Sequence, residues 1–261
     1  MHLGLKRLVK ESLKKFDIGI TKYSRLQKLE ERSKGSNVVE LLAEYPDRND
    51  ARLLKALLRS KSQLWQDLFV LCELNFKGGG FFVEFGATNG VNLSNSHLLE
   101  KEFGWSGIVA EPARRWHKDL KANRSCNIET DCVWRESNAA LTFNEVDLGE
   151  YSTIDEFSSA DTLNKMRDDG RSYSVNTISL NDLLEKYNAP RRMDYLSIDT
   201  EGSEYDILSS LDFEKYQFAA ITCEHNFTPL REELFALLTG HGYVRKLEAI
   251  SLFDDWYVRA E

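Results

Sequence analysis

Residues 81–96 read FFVEFGATNGVNLSNS, a mostly apolar run holding one acid, then two glycines four apart, then small polar residues. A strand, a glycine turn and a helix in that order set free backbone N–H groups where an anion or a hydrogen-bond acceptor is held. Spacing narrows the ligand. A phosphate loop ends in Gly-Lys-Ser/Thr, whereas Gly90 is followed by Val91. A dinucleotide turn needs G-x-G-x-x-G, whereas Gly86 is followed by Ala87-Thr88, and no Tyr is followed four positions later by Lys. What remains is E-x-G-x-x-x-G over Glu84, Gly86 and Gly90. An acid ahead of the turn repels a pyrophosphate and suits a ligand bearing ammonium and sulfonium charges, so the stretch points to S-adenosylmethionine.

Outward from this turn, short apolar runs alternate with amphipathic helices, the pattern of a mostly parallel sheet covered on both faces. Strands are predicted at 81–85, 107–111, 126–133, 194–199, 218–224, 243–248 and 252–258, and helices at about 93–103, 113–123, 160–168, 179–188, 203–211 and 229–241. Segments 141–157 and 171–178 add short strands or a flap. The last two strands are joined by too few residues for a parallel crossover, so they form an antiparallel hairpin. Before the sheet, the loop Lys77-Gly78-Gly79-Gly80 marks a boundary. It divides an N-terminal helical extension, 1–77, from a catalytic domain, 78–261.

The predicted strand tips collect acids. The second strand ends in Glu111-Pro112, and a carboxylate at that place accepts from two neighbouring ribose hydroxyls. The fourth long strand ends in Asp199, with Glu201 and Glu204 in the following turn, where they either cap the next helix or join the site. Glu224, His225 and Asn226 end the fifth. Ligands of open α/β sheets lie beyond the carboxyl ends of strands, so Asp199, Glu224 and His225 form a candidate catalytic edge. Methyl transfer to an alcohol needs positioning and removal of a poorly acidic proton. Two readings stay open: His225 takes the proton, or Asp199, Glu224 and His225 hold a divalent metal, Mg or Mn, that acidifies the hydroxyl.

Composition excludes several classes. The chain has 261 residues, 42% hydrophobic and 29% charged, the profile of a folded globular protein. Its net charge of -8 divides into a head of +6 over residues 1–34, with ten Lys/Arg against four Asp/Glu, and a body of -14, with 24 against 38. An acidic body argues against a nucleic-acid surface. Residues 3–33 read as a basic amphipathic helix that packs on its own domain, dimerises the chain, or lies on an anionic membrane surface. No apolar run is long enough for a membrane span and no signal-peptide core is visible, so the expected compartment is the cytoplasm. Cys72, Cys126, Cys132 and Cys223 have no metal-ligand spacing and read as buried thiols.

Taken together, VEFGATNGVNLSNS, GWSGIVAEP, DYLSIDTEGSEYDIL, and CEHN followed by LLTGHGY resemble the FkbM family of S-adenosylmethionine-dependent methyltransferases. The resemblance covers roughly residues 81–257 and none of the first 75. It implies an α/β, class I methyltransferase Rossmann-like fold: a seven-stranded, mostly parallel sheet with a C-terminal antiparallel hairpin. Glu84, Gly86 and Gly90, with Ala87, Asn89 and Ser94 of the same turn, would hold the methionine part, and Glu111 with Pro112 the ribose. Asp131 or Cys132 would lie near adenine, with Asp199 on the acceptor side. Many relatives carry Asp where this chain has Glu84, and Val where it has Thr200. The implied reaction is O-methylation of a sugar, nucleotide sugar or glycan hydroxyl, with a non-sugar small molecule or a non-catalytic binding module as alternatives.

Overall fold

The structure, a computed structural model, describes residues 37–48, 51–146, 152–154 and 170–260. The predicted helices at 3–33 and 160–168 lie outside the described residues. In chain order the elements that build the site are α1 (Ala51–Leu57), α2 (Gln66–Glu73), β1 (Phe81–Phe85), α3 (His97–Phe103), β2 (Ser106–Ala110), α4 (His117–Asn123), β3 (Asn127–Glu129), β4 (Cys132–Trp134), β5 (Ala140–Glu145), β6 (Thr153–Ile154) and β7 (Arg171–Ser179). They continue as α5 (Leu180–Lys186), β8 (Arg192–Ile198), α6 (Glu204–Ser209), β9 (Gln217–Glu224), α7 (Leu230–Gly240), β10 (Tyr243–Lys246), α8 (Glu248–Ser251) and β11 (Asp254–Arg259).

Seven strands form the main sheet in the order β10-β11-β9-β8-β1-β2-β3. From β9 to β3 all neighbours are parallel, and β11 pairs antiparallel with both β9 and β10. The mixed α/β architecture and its closing hairpin follow the expectation. The hairpin's connection is occupied by α8, which is why its strands stop at Lys246 and resume at Asp254.

Alternation of side chains along the strands separates two cores. Val83, Phe85, Ile108, Leu196, Ile198 and Ile221 face one side, where Leu183, Leu184, Ile207, Leu208, Leu234 and Leu238 of α5–α7 cover them. Phe82, Val109, Tyr195, Ala220 and Trp256 face the other, packed by Leu53, Leu64, Leu68 and Leu71 from the segment before the sheet. Burying each large apolar side chain contributes roughly 2 kcal/mol, so this covering segment is part of the sheet's own stability. Both faces of β1 are occupied, which explains why its sequence is nearly continuous in apolar residues.

One strand differs from expectation. The run 126–133 does not continue straight: β3 stays in the main sheet, and β4 starts a second, four-stranded sheet of order β4-β7-β5-β6. Glu129 makes the break, its Oε1 accepting from the backbone N–H groups of Thr130 (2.8 Å) and Asp131 (3.1 Å) and so folding the chain there. The segments expected as short strands or a flap supply β5, β6 and β7 to the smaller sheet. Trp134, Phe143, Ile154 and Val175 form its core, and its edge closes over the carboxyl ends of β1, β2 and β8.

Candidate active site

The strand order reverses between β1 and β8, the place where open α/β sheets bind ligands. A cavity of about 290 Å³ lies there. Gly86 makes the close approach possible: its φ is +73°, and a Cβ at this position would stand 2.0 Å from the carbonyl oxygen of Asp199. Two strand tips meet because one of them has no side chain.

The rest of the glycine turn is organised around Glu84, which is only 2% exposed. Its Oε1 accepts from the backbone N–H of Asn95 (2.6 Å), and its Oε2 accepts from Ser94 Oγ (3.0 Å) and Ser96 Oγ (2.5 Å). Arg124 Nη1 stands 3.4 Å from the same oxygen and donates to Ser94 Oγ at 3.1 Å. The small polar run after the glycines therefore wraps a buried ion pair, which delays the helix expected from residue 93 until His97. Leu93 is held there by a β-bridge to Ser62. Asn89 Oδ1 braces the turn by accepting from Val91 N (3.0 Å) and Asn92 N (2.9 Å). Gly90, at φ +79°, leaves room for Arg124 and Leu120.

Glu111 sits just beyond β2 and is buried. Its Oε2 accepts from Thr88 N and its Oε1 from Ala113 N, both at 2.8 Å. Burial raises its pKa to about 7 against those two bonds, with the charges of Asp199 and Glu145 adding to the rise. Each oxygen retains a lone pair for a ligand hydroxyl.

Across the cavity, Asp199 and Glu224 form a carboxyl pair at the tips of β8 and β9. Burial pushes Asp199 up to about 6, the charges of Glu204 and Glu84 raise it further, and its hydrogen bond with Glu224 works the other way. Glu224, 7% exposed, is driven well above the usual carboxylate range by burial and by the charge of Asp199. Two carboxylates share a hydrogen bond only if one keeps its proton. Burial and mutual charge raise both members, so the pair holds on to a proton more strongly than a lone carboxylate does. Glu224 Oε2 has no hydrogen-bond partner among the described residues.

Of the two acids in the next turn, Glu204 braces α6, its Oε1 accepting from Thr200 N and Gly202 N at 3.0 Å each. Glu201, at φ +59°, instead faces the cavity. Ligand oxygens of Asp199, Glu201 and Glu224 lie within 4.8 Å of one another.

His225 corrects an expectation. It follows Glu224 along the chain, so its side chain takes the opposite face, outside the lining of the cavity. Its Nδ1 accepts from Phe227 N at 3.0 Å and its Nε2 stands 3.8 Å from Asp255 Oδ1. Burial lowers its pKa, keeping the ring neutral. Among the described residues the acids close enough to share a cation are Asp199, Glu201 and Glu224, without His225.

Of the residues expected at the cofactor, Glu84, Gly86, Glu111, Pro112, Cys132 and Asp199 line the cavity. Ala87, Asn89, Gly90, Ser94 and Asp131 do not; the first four support the turn from behind, and Asp131 belongs to the bend after β3. Sequence reasoning missed Gln63, Asn95, Val133, Phe143, Ile154 and Phe253 of the wall. Asn95 Nδ2 donates to Ser197 Oγ at 3.0 Å, while its buried Oδ1 has no partner among the described residues.

The sequence model of the methyltransferase FkbM domain matches residues 84–247, which is more than half of the chain. The chain belongs to the FkbM methyltransferase domain family. No curated protein matches it. Among solved structures, precorrin-6y C5,15-methyltransferase from Geobacter metallireducens GS-15 is similar at 11% identity and a TM-score of 0.38, over 69% of this chain and 71% of that one. The methyltransferase FkbM from Methylobacillus flagellatus KT is similar at 11% identity and a TM-score of 0.39; the match covers 69% of this chain and 43% of that one. An FkbM methyltransferase fold with carboxyls at the tips of β2, β8 and β9 accounts for the arrangement, and S-adenosylmethionine is the methyl donor expected of it. Among the described residues no helix is long and apolar enough to cross a membrane.

Proposed function

We propose that the protein methylates a hydroxyl group of a sugar, nucleotide sugar or glycan, with S-adenosylmethionine as donor. The observation that carries this reading is the Asp199–Glu224 pair at adjoining strand tips beside the switch point, both lining the cavity with carboxylate oxygens within 4.8 Å of each other. An ionised, partly desolvated carboxylate is a stronger base than one in water and is suited to a hydroxyl proton.

The cavity fits the donor. Asn95 Oδ1 is a buried acceptor awaiting an N–H, as an ammonium group provides. Glu111 has lone pairs for ribose hydroxyls, and Pro112, Cys132 and Val133 offer an apolar slot for a base. Bound there, the donor supplies an electrophilic methyl group. Asp199 accepts the hydroxyl proton as the acceptor oxygen gains its methyl, and the S–C bonding pair stays with sulfur. Glu224, beside it, makes Asp199 more basic through its charge, and Phe143 and Ile154 of the smaller sheet line the cavity opposite the pair.

Metal assistance is a second reading, favoured by the three oxygens of Asp199, Glu201 and Glu224 within 4.8 Å. Mg or Mn takes such oxygen ligands and would acidify the hydroxyl in place of a free base. Incubation with S-adenosylmethionine and a panel of sugars and oligosaccharides, following S-adenosylhomocysteine with and without chelator, tests both. Turnover that survives exhaustive chelation leaves the carboxyl pair as the base; turnover lost and restored by Mg or Mn selects the metal. S-adenosylhomocysteine binding without methylation of any hydroxyl acceptor would favour a binding module.

A further inference from the structure

The loop from Ser60 to Asp67 is pinned on both sides of Gln63. Asp67 Oδ1 accepts from Ser60 Oγ and Ser62 Oγ, each at 2.8 Å, and from Leu68 N at 2.9 Å. Leu64 is buried against the sheet, its N–H donating to Gln66 Oε1 at 2.8 Å, and Gln66 Nε2 donates to Asp254 Oδ2 at 2.8 Å. Ser62, Gln66 and Asp67 are thus all engaged in holding the loop. Gln63 lines the cavity, half-buried, and its amide has no hydrogen bond among the described residues. A polar group held in place toward a cavity and left unpaired by its own chain is one that a ligand can pair.

The same loop decides which part of the cavity Gln63 serves. The parallel bridge from Ser62 to Leu93 lays it along the chain that runs from the glycine turn to Asn95. Leu93 and Asn95 line the cavity with it, and Asn95 Oδ1 is the buried acceptor suited to an ammonium group. In an amino acid the ammonium and the carboxylate share one carbon, so the group that takes the carboxylate stands close to the one that takes the ammonium. Backbone N–H groups at a helix start often hold such an anion. Here they are engaged within the turn, Asn95 N donating to Glu84 Oε1 and His97 N to Ser94 Oγ.

From this placement, and resting on the methyl-donor reading above, we infer that the Gln63 amide binds the α-carboxylate of S-adenosylmethionine, Nε2 donating to a carboxylate oxygen. The matched family domain begins at residue 84, so this contact comes from outside it. The segment before the sheet then completes the donor site as well as the core.

Calorimetry on the whole 261-residue chain tests the assignment with two ligands. One is S-adenosylhomocysteine; the other is S-adenosyl-3-thiopropylamine, which keeps the ammonium and lacks the carboxylate. Gln63→Ala should weaken S-adenosylhomocysteine by about 10-fold. Gln63→Glu, which sets a like charge against the carboxylate, should weaken it by about 30-fold or more. Affinity of Gln63→Ala for the amine analogue should stay within about twofold of the parent. A loop merely loosened by the substitution would weaken both ligands alike. Unchanged S-adenosylhomocysteine affinity in Gln63→Ala, tighter binding in Gln63→Glu, or an equal loss with both ligands overturns the inference. A parent protein that binds neither ligand would sink the methyl-donor reading and this inference with it, whereas binding by the parent leaves only the Gln63 assignment at stake.

Discussion

Glu84 and Glu224 end up in one cavity, both almost hidden from water, and they are treated in opposite ways. Glu84 receives an arginine, two serine hydroxyls and a backbone N–H. Glu224 receives a second carboxyl, and one of its oxygens has no partner among the described residues. A satisfied buried charge holds structure, whereas an unsatisfied pair stores a displaced protonation equilibrium that chemistry can use. The glycine turn is therefore scaffold as much as binding loop, and the groups proposed to react are concentrated at β8 and β9.

This contrast breaks most visibly by mutation of the satisfied side. Glu84→Ala leaves Arg124 buried with Glu100 as its remaining carboxylate and removes the acceptor of three turn donors. A loss of about 3 kcal/mol in unfolding free energy is expected from urea denaturation. An unchanged midpoint would mean that the turn does not depend on its ion pair.

The unsatisfied side should show itself in pH dependence. Asp199, Glu111 and Asp254 have folded-state pKa values of about 6, about 7 and about 8, all above the ordinary carboxylate range, chiefly through burial. Raised acids keep protons that the unfolded chain has released, so the stability they contribute is present at low pH and is lost as pH rises through those values. Unfolding free energy should fall by several kcal/mol, on the order of 5, between pH 5 and pH 8, while methyl transfer rises as Asp199 ionises near 6. Stability that climbs across that window would contradict the burial of these groups. The smallest effect is expected at His225, whose ring lies outside the cavity: His225→Asn should change turnover by no more than about threefold.

Much of the fold was legible because parallel strands buried on both faces leave continuous apolar runs, as in Phe81–Phe85 and Gln217–Glu224. The E-x-G-x-x-x-G turn was legible too, since Gly86 answers a steric demand that no other residue meets. Side-chain direction at the strand tips was harder to read. Glu201 faces the cavity and His225 turns away from it through a left-handed residue and a single step of strand alternation, neither of which composition records. The division of 126–133 between two sheets depends on Glu129 accepting from its own following residues, a local bond inside what reads as a single strand. Gln63 reaches the cavity because its neighbour Ser62 bridges to Leu93, 31 positions away, and Gln66 donates to Asp254 at 2.8 Å. Contacts of that range leave no periodicity in either segment.

Asp199→Asn, assayed for methyl transfer and by calorimetry with S-adenosylhomocysteine, tests the division between scaffold and reacting groups most directly. The substitution keeps the shape of the β8 tip and leaves Glu84, Gly86 and Glu111 in place. S-adenosylhomocysteine affinity should stay within about threefold of the parent while turnover falls by about 100-fold or more. Undiminished turnover in Asp199→Asn would remove the carboxyl pair from the reaction.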